Sequence, residues 1–135
     1  MTDSTPNSWG PTLLRITVGI VFLVHGAQKM FVWGFHGVAG FLGQVGIPLP
    51  ALFAVVLTLV ELVGGAALVL GLFTRWAALL LALDMLVAVL AVKLKGGFFA
   101  PTGFEYELVL MVASLSLVLM GGGAASLDAR LSRKA

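Results

Sequence analysis

Four runs of apolar residues, separated by short stretches rich in glycine, proline and charge, set the layout of this chain. The first covers residues 12–32, with Pro11 at its start, a position where the missing backbone donor costs nothing. The second covers residues 50–72; IPLP breaks the chain before it, Gly71 and Thr74 mark its end, and Glu61 is the only charge within it. The third covers residues 75–92 and ends in KLKGG, and the fourth covers residues 104–120, between APTG and the triplet Gly121, Gly122 and Gly123. None shows the period-two alternation of a half-buried strand, and a hydrocarbon core about 30 Å thick takes about 20 residues of helix to cross. Lipid offers no water to satisfy a backbone, so runs of this kind are helical. The pattern predicts an all-α, polytopic membrane protein built as a four-transmembrane-helix bundle. Its expected divisions are a polar N-terminal segment over residues 1–11, the membrane domain over 12–128 and a basic tail over 129–135.

Composition agrees with this layout and narrows it. Of 135 residues, 60% are hydrophobic and 10% charged, whereas soluble domains hold roughly 45–50% apolar residues. The length leaves room for four crossings at most. Net charge is +2, and three of the eight basic residues sit in the closing RLSRK, so nucleic-acid binding has no basis in charge. There is no cysteine, which excludes disulfides, a thiol redox pair, iron–sulfur ligation and covalent haem attachment. MTDSTPNSWGPTLLR is polar and leads into an apolar run without a small-x-small cleavage site, so the first segment is expected to stay. With four crossings Arg15, Arg75, Arg130, Arg133 and Lys134 fall on one side, against Lys29, Lys93 and Lys95 on the other. Positive-inside bias then puts both termini in the cytoplasm. Between the first two helices, WGFHGVAGFLGQVGIPLP has no preceding strand and no closing GK[ST], so it is no phosphate loop. It is expected to lie at the interface as a loop or short helix, with Trp33, Phe35, His36 and Phe41 at headgroup level.

Candidate chemistry sits where the apolar runs are interrupted. At about 1.5 Å rise per residue, His25 lies about 18–20 Å from the cytoplasmic end of its helix, Asp84 about 13 Å and Glu61 about 14 Å. Glu61 is flanked by Thr58, Gly64 and Gly65, and Asp84 by Ala77, Ala88 and Ala91. Small-residue stripes of this kind mark close helix approach, so both acids are expected to face the bundle interior. His25, Gln28 and Lys29 fall at i, i+3 and i+4 on one face. Lys29 is expected nearer the outer boundary, with Lys93, Lys95, Glu105 and Glu107, and Gln28 between the two levels. A charge at mid-bilayer costs at least about 2.5–3.5 kcal/mol, and such residues are usually functional. The competing reading is a hydrogen-bonded clamp between helices. One histidine and two carboxylates make a weak metal set, so no metal is assigned. Bis-histidine haem is disfavoured, since His25 and His36 stand about 16 Å apart along a continuous helix.

LLRITVGIVFLVHGAQKMF, LVELVGGAALVLGLFTRWAALLLALDM, FEYELVL and GGGAASLD together resemble the DoxX family of small bacterial four-helix membrane proteins. The resemblance runs from Leu13 to Asp128 and is most specific at HGAQK, at the glutamate with its double glycine and LGLFTR, and at G-x-G-x-x-SLD. GGG stands where the family often has GPG. Carried over by motif, His25, Gln28 and Lys29 match the first signature, Glu61 and Arg75 the second, Tyr106 and Glu107 the third, and Ser126 and Asp128 the last. The resemblance implies an accessory membrane subunit of a quinone-linked redox or oxidative-stress system, without intrinsic cofactor and with a quinone as candidate ligand. Ligand-binding or proton-carrying candidates are therefore His25, Gln28, Lys29, Glu61, Asp84, Tyr106 and Glu107. Expected partners are the lipid bilayer and soluble or membrane redox proteins, with a homo-oligomer open. The alternatives are proton-coupled binding or transport of a lipid or small molecule, and a purely structural scaffold.

Overall fold

The computed structural model describes residues 6–134, and side chains from Trp9 to Ser132. Residues 1–5 of the polar N-terminal segment and the side chains of Arg133 and Lys134 in the basic tail lie outside the described residues. Every regular element among those described is helical. α1 (Pro6–Ala27) continues through a π-helical segment, Gln28–Trp33, into α2 (Gly34–Gln44). α3 (Pro50–Leu70) and α4 (Thr74–Val87) follow, α4 running on through π-helical Ala88–Lys93 and a single 3-10 turn, Leu94–Gly96. α5 (Glu105–Met120) and the short α6 (Leu127–Lys134) complete the chain. Among the described residues, the helical stretches Trp9–Gln44, Pro50–Leu70 and Thr74–Gly96 are long and apolar enough to cross a membrane. α5, with 16 residues, spans about 24 Å at 1.5 Å per residue and is the shorter fourth member of the bundle.

The boundaries follow from local chemistry, with one departure from the sequence reading. α1 begins at Pro6 rather than at residue 12, with Pro11 inside it; so near a helix start a proline removes one hydrogen bond, which the helix tolerates. The region after residue 33 takes the second of its two expected forms, a short helix, α2, which Gly34, at φ 73°, opens by turning the chain where a side chain would be strained. The basic tail falls within α6, which begins at Leu127. α3 opens with Pro50 at its first position. It closes on Gly71 at φ 71° with the Leu72 N–H bonded to the Ala67 carbonyl at 2.9 Å, a Schellman end.

Polarity is inverted relative to a soluble protein, as a lipid surround requires. Leu13 and Leu119 are 71% and 81% exposed while Arg15, Thr58 and Ser114 are fully enclosed. Val18, Phe22, Leu68, Leu81 and Leu117 fill the centre between α1, α3, α4 and α5, and Val38, Leu42 and Ala54 pack α2 onto α3. α1 and α3 touch backbone to backbone. A Cβ on Gly26 would land on the Leu62 backbone, and one on Gly65 on that of Leu23. Glycine at these positions is what lets the two helices meet.

One end of the bundle is tied by a buried arginine. Arg15 donates from Nη1 to the Leu68 and Val69 carbonyls at 2.7 and 2.9 Å, from Nε to Gly122 O at 2.9 Å and from Nη2 to Ala125 O at 2.6 Å. Two of these acceptors belong to the last turn of α3, whose carbonyls have no partner within the helix. Asp128 accepts the Phe73 and Thr74 N–H groups at 2.7 and 2.8 Å, capping α4. The start of α1, the α3–α4 turn and the chain after α5 are thereby fixed together, leaving the opposite half of the bundle for the cavity described next.

Candidate binding site between the helices

The close approach at Gly26 and Gly65 carries Lys29 to the middle of α3. Its Nζ lies 2.8 Å from Glu61 Oε1, with the two side chains 15% and 4% exposed. This corrects the sequence reading, which put Lys29 at the outer boundary. The π-helical segment widens the turn at Gln28–Trp33 and directs Lys29 inward, where its ammonium stands 5.9 Å above the Trp33 ring. Asp84, buried on α4, lines the same cavity as Glu61, while its Oδ2 has no partner. Two buried carboxyl groups thus stand at one wall with one ammonium, which pairs with Glu61.

His25 is on the same wall but faces another residue. Its Nε2 is 3.4 Å from the Tyr106 hydroxyl, long for a hydrogen bond, and the rings are 6.2 Å apart at 46°. Nearer the loop after α4, Lys93 Nζ lies 3.7 Å from Glu107 Oε2 and donates to Pro101 O at 2.6 Å. Glu107 Oε1 is buried without a partner. Glu105, expected beside these residues, instead accepts the Ala100 N–H at 2.6 Å. Gln28 is exposed and joins neither group, and His36 is exposed on α2.

These residues enclose one cavity of about 290 Å³, near the lower end of small-molecule sites, roughly 300–1,000 Å³. His25, Lys29, Glu61, Asp84, Tyr106 and Glu107 supply its polar wall, and Phe22, Leu42, Leu57 and Met85 are among its apolar lining. Lys93 and Trp33 also line it; the sequence reading put the first near the outer boundary and the second at the interface. Each closes a π-helical segment, Trp33 that of Gln28–Trp33 and Lys93 that of Ala88–Lys93, and residues of both segments line the cavity. Such segments concentrate at functional sites, and nothing in local sequence marks them.

A family model described as DoxX matches residues 10–94. The chain belongs to the DoxX family. It is 39% identical over 119 residues to "Putative oxidoreductase CatD" of Bacillus subtilis, covering 88% of this chain and 84% of that one. It is 37% identical over 133 residues to an uncharacterized membrane protein of Mycobacterium tuberculosis, covering 90% and 81%. It is 33% identical over 129 residues to "Inner membrane protein YphA" of Escherichia coli, covering 89% and 91%. No solved structure matches the chain.

In this DoxX protein the signatures divide by location. HGAQK brings α1 onto α3 through Gly26 and places Lys29 on Glu61. LGLFTR and the SLD triplet form the opposite end, where Asp128 caps α4 and the Ser126 hydroxyl accepts the Ala129 N–H at 3.1 Å. Arg75, carried over by motif, is exposed and does not line the cavity. Arg15, read from sequence as one of five orientation charges, is the centre of that end.

Proposed function

We propose that this DoxX protein holds a quinone between its helices and serves as the membrane subunit of a quinone-linked redox or oxidative-stress system. The observation that carries the reading is the polar wall itself: an ion pair, a His–Tyr pair and two buried, unpartnered carboxyl oxygens, Asp84 Oδ2 and Glu107 Oε1, around one apolar-walled cavity. A quinone ring asks for an apolar slot with a donor or proton carrier at each carbonyl, and this donor set fits it. When bound, a quinone supplies two-electron, two-proton chemistry. Lys29 Nζ and the Tyr106 hydroxyl are the donors available to ring oxygens. The carboxyl groups of Glu61 and Asp84 at the cavity wall are candidate proton carriers, and the His25–Tyr106 contact offers another. The chain has no cysteine for a thiol pair or cluster, so electrons are exchanged with a partner protein. The name of the Bacillus subtilis relative, an oxidoreductase, is consistent with such a role.

The setting is a bacterial cytoplasmic membrane with the termini inside. With Arg15 and Lys29 both engaged within the bundle, the remaining basic residues stand four against two in favour of the terminal side. Mass spectrometry of lipid extracts from the purified protein tests the ligand. Retention above an unrelated membrane protein is expected, reduced in Tyr106→Phe; retention at background refutes the reading. A second reading, a clamp that only joins helices, draws on the Lys29–Glu61 bond. It requires that Glu61→Gln lower stability and leave every bound molecule unchanged.

A further inference from the structure

Beside the polar cavity lies a second one of about 400 Å³ between α2, α3 and α4. The two share Leu42, Ile47, Leu57, Asp84 and Val87 as walls. Among the described residues Asp84 is the only charged one lining the second cavity, which is otherwise apolar. It opens on the outer surface of the bundle: Val56, Leu83 and Val87 are 44%, 51% and 52% exposed there, on faces that lipid covers. The polar cavity is thus joined, through the wall that Asp84 occupies, to an apolar groove leading sideways into the bilayer.

We infer that the site takes a ring-bearing amphiphile with a long apolar tail, admitted laterally between α3 and α4, with its head beside Lys29 and Glu61 and its tail along Val56, Leu83 and Val87. This rests on the functional reading above and adds the tail and the route. Three observations support it. The polar residues and the wall shared with the groove border the same cavity of about 290 Å³, so a head group held on the polar side directs a longer substituent toward the shared wall, which leads into the groove. Asp84 Oδ2, buried and unpartnered, lies where the head would give way to the tail and can bond a polar atom at that junction. A tail passing from acyl chains into the groove gains little hydrophobic energy, since both surrounds are apolar. The groove therefore orients the ligand and sets its class by shape.

The test uses the full chain in phosphatidylcholine nanodiscs with a benzoquinone carrying a decyl tail that ends in a photoreactive diazirine. After illumination, peptide mapping is expected to place adducts on residues 53–60 of α3 and 80–87 of α4, several-fold above Val109 and Val112 on the lipid face of α5. Excess tailless benzoquinone displaces them, Leu83→Trp reduces them several-fold, and Val109→Trp leaves them unchanged; melting curves confirm that both variants fold. Adducts spread evenly over lipid-facing residues, with the probe still retained on purification, overturn the groove and leave the head site standing. Groove adducts that persist under excess tailless quinone mean that the groove takes any acyl chain, which also overturns the proposal. Neither retention nor groove adducts refutes both readings together.

Discussion

Replacing Lys29 by Met, Glu61 by Gln, and both together tests the pair that joins α1 to α3. At 2.8 Å and an effective dielectric constant near 20, the gross Coulomb attraction is about 6 kcal/mol, much of it offset by desolvation. Removing one member of a buried pair costs about 3–5 kcal/mol because the other charge is stranded. The two single variants are not equivalent here, since Asp84 lies beside Glu61 and within the field of Lys29. Without Glu61, Lys29 keeps Asp84 as a counter-charge, and the loss falls at or below the lower end of that range. Without Lys29, two carboxyl groups remain in apolar surroundings with no cation, and the loss falls at the upper end. The double variant strands nothing further and is expected to cost less than the sum of the singles by about 2–3 kcal/mol. Reversible unfolding in mixed micelles, followed by tryptophan fluorescence, measures all three, with Trp33 near the Lys29 ammonium as a local reporter. Single-variant losses below about 1 kcal/mol, the range of exposed pairs, or strict additivity, refute the argument.

At the opposite end, Asp128→Ala removes the acceptor of the Phe73 and Thr74 N–H groups and is expected to cost about 1–2 kcal/mol, with Asp128→Asn recovering most of it in the same unfolding assay. Arg15→Met leaves four carbonyl contacts unmade and is expected to lower stability by several kcal/mol, visible as loss of monodisperse protein on size exclusion. Gly26→Ala drives a methyl group into the Leu62 backbone, so thermal melting should show a loss of about 1–3 kcal/mol, whereas Gly10→Ala, with open space around it, should be neutral. Tyr106 is 40% exposed, so Tyr106→Phe is expected to change stability by no more than about 0.5 kcal/mol while lowering quinone retention.

The outline of this protein was legible in the chain because lipid imposes two strong constraints, apolar length and an internally satisfied backbone. They gave the helices and placed Glu61 and Asp84 in the interior through their small-residue neighbours. Depth counting failed for Lys29. It assumed a uniform 1.5 Å rise and left out about 6 Å of flexible side chain, and the π-helical segment altered both depth and direction. Gln28, one residue earlier, shares the helix face on an ideal wheel and ends up exposed for the same reason. Arg15 misled in another way: a basic residue near the end of a crossing reads as an orientation charge, and only the folded α3 end and the Gly122–Ala125 turn provide the carbonyls that enclose it.

Hydropathy alone determined the all-helical class and the approximate place of the apolar runs, since transfer into lipid is a property of the local chain. The partners of the polar residues were decided only by tertiary structure. Which cation meets which acid depends on the separation and rotation of helices far apart in sequence, set here by glycines that let two backbones touch and by π-helical turns that no residue pattern announces.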